Sequence, residues 1–137
     1  MKVIGLGNEW RSDDGAGIEV ARRLGGTQLS GEPVGLLEAL DEADVVIVDA
    51  VASDANAGTL HRFEVDGRPL PAELFGASST HALGLAEALE LARSLGRLPQ
   101  TVEVIGIEGG SFDFGQGLSP AVSEAVALVV QELRARA

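Results

Sequence analysis

Three side chains in this sequence could work together as ligands for a divalent transition metal: Asp14, Asp49 and His81. Two carboxylates and one imidazole make an oxygen and nitrogen donor set that suits nickel or zinc. The chain has no cysteine, which excludes disulfides, thiolate catalysis, iron–sulfur ligation and cysteine-bound zinc. Each of the three also has a plainer use. Asp13 or Asp14 can cap a helix, Asp49 can hold the turn after a strand, and His81 can simply open a helix. The metal reading rests on their common placement at strand ends or helix starts, on what should be one edge of a sheet.

That placement comes from the elements around them. Residues 2–6 read as a short apolar strand that turns at Gly5, Gly7 and Asn8 and then presents Asp13 and Asp14. Ile18, Ala21 and Leu24 follow at helical spacing, and Gly25-Gly26 stops the helix at 16–24. A very short strand is expected at 27–31 and a short helix at 33–40, with Pro33 in its first turn. The β-branched run 45–48 closes on Asp49 and predicts a strand buried on both faces. Residues 59–65 alternate, with His61, Phe63 and Val65 on one face, so His61 reads as structural.

Residues 66–79 form the longest irregular stretch, a length usually tied to function or mobility. Ser79 or Thr80 can cap the next helix, 81–95, whose start keeps His81 neutral and ready to coordinate. Leu85, Leu89 and Ala92 mark its inner face. A strand at 101–107, a glycine-rich loop at 108–118 and a helix from Ser119-Pro120 through 134 complete the chain. The alternation predicts an α/β three-layer sandwich: a mixed, mostly parallel central sheet with helices on both faces. The 59–65 strand follows 45–49 too closely for a helical crossover and is expected to run antiparallel.

With 137 residues and 45% hydrophobic content, a single globular domain spanning 1–137 is expected. The net charge of −11, with one lysine, repels phosphate backbones and argues against nucleic-acid binding. No apolar run approaches the ~18 residues of a membrane span, and the start is too short for a signal peptide, so a cytoplasmic protein is expected. Gly5-Leu6-Gly7 is not a dinucleotide fingerprint, because Trp10 occupies the place of the third glycine. Trp10 either anchors its loop or contacts a partner. Ser119 has a triad look beside Asp and His, but Ser-Pro at a helix start is better explained as a cap.

The motifs also carry a family resemblance. Gly5-x-Gly7-Asn8 with Asp13-Asp14-Gly15-x-Gly17 resembles the opening motif of the hydrogenase maturation endopeptidases. The likeness continues in Val48-Asp49-Ala50, Gly58-Thr59, Ser79-Thr80-His81-x-Leu83-Gly84-Leu85, Ile107-Glu108 and Gly117-Leu118-Ser119-Pro120, in the family's order. Ser30-Gly31 is the nearest remnant of the family's Asp-Gly-Gly turn, and Gly109-Gly110 stand where Pro and Glu are frequent. The resemblance implies an α/β sandwich and an aspartyl-type endopeptidase that removes a C-terminal extension from a nickel–iron hydrogenase large-subunit precursor. By motif match the metal-contacting residues are Asp14, Asp49 and His81. The nickel arrives with the precursor, and no organic cofactor is implied. The alternative is a non-catalytic α/β module that binds a metal or a partner with the same groups; a small nucleotide-binding protein is a weaker third option.

Overall fold

The computed structural model describes residues 1–65, 70 and 80–136, without the side chains of 80–83. Its five strands are β1 (Lys2–Leu6), β2 (Thr27–Leu29), β3 (Asp44–Val51), β4 (Leu60–Glu64) and β5 (Thr101–Glu108). They form one sheet in the order β2-β1-β3-β5-β4. The first four positions are parallel and β4 alone runs antiparallel, paired with β5. The helices are α1 (Ala16–Leu24), α2 (Pro33–Ala39), α3 (Thr80–Ser94) and α4 (Pro120–Arg136), with a 3-10 turn at Ser12–Gly15 before α1.

Strand alternation builds the three layers. Val45, Ile47 and Val51 of β3 join Leu36, Leu85, Leu89 and Ala92 of α2 and α3 in one apolar cluster. Val46, Val48 and Ala50 join Val20 of α1 and Val122, Val126, Val129 and Leu133 of α4 in the other. A β-branched run with both faces covered is what a parallel strand at the centre of such a sheet requires. α1 ends where Gly25 turns into the left-handed region at φ 68° and its N–H meets Ala21 and Arg22 carbonyls, a turn that suits glycine. α2 starts with Pro33 behind Glu32, whose carboxylate accepts from Val34 N–H at 2.9 Å and Gly35 N–H at 3.0 Å. Among the described residues no helix is long and apolar enough to cross a membrane.

The structure moves several expected boundaries. β3 does not close on Asp49 but runs on to Val51, because β5 continues to pair with it through Ala50–Ile107 and Val51–Glu108. The strand expected at 27–31 is three residues long. α3 begins at Thr80 rather than His81, and α4 extends to Arg136. β4 is antiparallel as expected, yet it lies beside β5 and not beside β3. The irregular stretch 66–79, residue 70 apart, and the Ser79 or Thr80 cap lie outside the described residues and side chains.

Candidate active site

Glycines bring the opening motif against the carboxyl ends of β1 and β3. A Cβ on Gly5 would stand 2.0 Å from the Gly17 carbonyl oxygen. One on Gly17 would stand 2.3 Å from the Val48 oxygen and 2.5 Å from the Leu6 oxygen. The first turn of α1 therefore touches bare backbone on both strands, and only hydrogen fits there. Gly7, at φ 142°, approaches the Asp14 carbonyl in the same way. The chain from β1 to α1 is thus held against the sheet one residue from Asp49, since Gly5 pairs with Val48.

The two candidate carboxylates are buried at this edge. Asp14 sits in the 3-10 turn with 3% of its surface exposed, and Asp49 in β3 with none. Charged groups this deep are costly unless their surroundings are arranged for them. Asp14 lines a cleft of about 370 Å³ with Gly7, Trp10, Arg11, Ile18 and Leu29. Asp49 shares a sheet face with Ile47 and Val51, the face covered by α2 and α3. His81 is the second residue of α3. The first turns of that helix reach the same edge, because a Cβ on Gly84 would stand 2.0 Å from the carbonyl of Gly31, just past β2. The His81 side chain lies outside the described residues, and within them no three His, Asp or Glu side chains form a metal-holding group.

Asp13 is not a helix cap. Gly15 holds the cap position of α1, and no side chain bonds the first turn there. The Asp13 carboxylate instead reaches a loop about a hundred residues away. It accepts from Gly110 N–H at 2.8 Å, Ser111 N–H at 3.0 Å, Ser119 N–H at 2.7 Å and the Ser119 hydroxyl at 2.8 Å. Burial pushes its carboxyl up, but these donors together outweigh burial and hold it below the ordinary value of 3.8. Ser119 thus spends its hydroxyl on Asp13 and carries no triad geometry, while Pro120 opens α4.

The two loops are joined further by backbone bonds. Ser12 N–H donates to Gly115 O at 2.8 Å, Gly115 N–H to Trp10 O at 2.8 Å and Asp13 N–H to Ser111 O at 3.0 Å. Ser12 adopts φ 53°, the one left-handed non-glycine residue among those described, and its hydroxyl donates to Asp113 O at 2.8 Å. Trp10 is 60% exposed on this unit and Phe114 90%, with the Arg11 guanidinium 6.0 Å from the Phe114 ring centroid. Trp10 is therefore a surface residue at the rim of the Asp14 cleft.

One buried cluster has no counterpart among the expected ligands. Glu108, 1% exposed, accepts from Ser53 N–H and the Ser53 hydroxyl, both at 2.6 Å, and meets His61 Nε2 at 3.1 Å. Its sequence signals were Glu108 directly after the 101–107 strand and the Ile107-Glu108 pair of the family motif.

A sequence model of the hydrogenase maturation protease family (HycI) matches residues 25–135. This chain belongs to that family. It is 31% identical to the hydrogenase expression/formation protein HupD of Thiocapsa roseopersicina, over 94% of this chain and 63% of the relative. It is 33% identical to HupD of Rhodobacter capsulatus, over 97% of this chain and 70% of the relative. The chain thus spans somewhat under two-thirds of the first relative's length. Among solved structures it is similar to the [NiFe] hydrogenase maturation protease HybD of Thermococcus kodakarensis, with TM-score 0.79, 31% identity and coverage of 100% and 99%. The fold also matches the hydrogenase maturating endopeptidase HybD of Escherichia coli, with TM-score 0.84 at 24% identity. The maturation protease fold thus carries the α/β sandwich anticipated from the alternation of strands and helices, with the sheet mixed through β4.

Proposed function

We propose that this maturation protease is a cytoplasmic endopeptidase acting on a nickel-loaded hydrogenase large-subunit precursor, from which it removes a C-terminal extension. Asp14, Asp49 and His81 contact the nickel that the precursor brings. The observation that carries the reading is the burial of Asp14 and Asp49, two carboxylates at one edge of the sheet. Two carboxylates at one edge supply oxygen donors of the kind a divalent cation takes, so their place there fits a cation that arrives from outside. The metal belongs to the substrate; it supplies polarisation of the scissile carbonyl or activation of a water. The protein's own task is to grip that metal and set the peptide bond beside it.

The test is processing of purified precursor with and without nickel. Only the nickel-loaded form should be shortened, read by intact mass. A precursor that binds this protein but keeps its full mass would make the chain a non-catalytic binding module instead.

A metal carried by the substrate has a second consequence. Two carboxylates and an imidazole without a thiolate hold free nickel weakly. Protein purified without added metal should therefore contain far less than one ion per chain. Stoichiometric metal that survives dialysis would point to a resident-metal peptidase.

A further inference from the structure

We infer that His61 is a proton-transferring catalytic residue for amide hydrolysis, oriented by Glu108 and Ser53; the inference rests on the peptidase reading above. Phe63, partly buried, and Val65 pack in the apolar cluster under α2 and α3, so alternation puts His61 on that face too. His61 pairs with Gly106 of β5, and Gly106 pairs with Asp49 of β3. Asp49 lies on the same face, between Ile47 and Val51. The three residues form one row across the sheet. At about 4.8 Å per strand, the Cα atoms of Asp49 and His61 stand roughly 10 Å apart, and the Val51 side chain leans over the glycine between them, where a Cβ would meet its Cγ1 at 2.9 Å.

Glu108 fixes the imidazole. Its two bonds from Ser53 hold the carboxylate in place, and the 3.1 Å contact calls for the ring proton on Nε2. No described residue bonds Nδ1, and the His61 side chain keeps 17% of its surface. This is the carboxylate–imidazole arrangement that prepares one nitrogen as a base by occupying the other. A purely structural tie is redundant, since β4 and β5 are already laddered from Leu60–Ile107 to Glu64–Glu103. Among the described residues, the groups facing the ring are Glu108 from β5, Ser53 from the turn after β3 and, across the row, Asp49. On β4 its neighbours on that face are apolar.

The chemistry balances with water alone. The water oxygen attacks the scissile carbonyl carbon while its proton passes to Nδ1, and Glu108 stabilises the imidazolium. The carbon–nitrogen bond then breaks as Nδ1–H protonates the leaving nitrogen. The shortened chain ends in a new carboxylic acid, which passes its proton to the released amine to leave carboxylate and ammonium, and the imidazole is neutral again.

The experiment measures kcat and KM separately on nickel-loaded precursor for wild type, His61→Gln and Glu108→Gln. His61→Gln should lower kcat about 100-fold or more and leave KM and precursor binding unchanged. Glu108→Gln, which keeps the shape but not the charge that orients the ring, should lower kcat about 10-fold or more with KM unchanged. If His61→Gln fails to fold, the kcat of Glu108→Gln decides. Wild-type cutting with either variant at normal kcat overturns this inference and spares the peptidase. A wild type that binds precursor without cutting overturns both.

Discussion

Asp14→Ala should still fold and leave nickel-loaded precursor uncut. No side chain caps the first turn of α1, so the substitution removes no helix cap. It removes one of two acids buried at the same edge, and with it an oxygen donor for the metal. Asp14→Glu should retain part of the activity, since the longer side chain still reaches a metal. A melt paired with an intact-mass processing assay checks both. An Asp14→Ala protein that melts lower yet cuts at the normal rate would end the assignment.

The opposite pattern is expected one residue earlier. Asp13→Ala leaves four donors, on Gly110, Ser111 and Ser119, without their acceptor. A helix cap would have been worth about 1 kcal/mol. A buried carboxylate with this many donors is worth roughly 3–5 kcal/mol, a fall in melting temperature on the order of 10 °C. The pH dependence follows from the lowered carboxyl. A depressed folded value gives stability that is fully present above the unfolded value of 3.8 and is lost as pH falls through the folded one. The gap between wild type and Asp13→Ala should therefore be wide at neutral pH and narrow below about pH 4. Melts at neutral pH and in acid read it directly, and a gap that stays constant would refute the latch.

Much of the frame was legible because it depends on local periodicity. Residues 2–6 and 16–24 were readable to the residue, since an apolar run bounded by glycines and a helical stripe closed by Gly25-Gly26 depend on nothing distant. Asp49 misled as a strand end because a buried acid inside a strand breaks the apolar pattern; only the partner strand shows that pairing continues. Such breaks are expected where function overrides packing. Asp13 looked like a cap because its true donors lie 97 to 106 positions away. The Glu108, Ser53 and His61 cluster was hidden for the same reason, being assembled from the end of β5, the turn after β3 and the second residue of β4. The order of the sheet was likewise out of reach, as nothing local says that β5 enters between β3 and β4.

That insertion governs how the protein comes into being on the ribosome. β3 and β4 are made early and have no ladder to each other; the strand that joins them is the last one synthesised. Until residues 101–108 emerge, both present open edges of the kind that invites pairing with other chains. Asp49 and His61 share a row only once Gly106 lies between them, and the Asp13 latch waits longer still, for Ser119. A chain that stops short of these residues therefore assembles neither the row nor the latch.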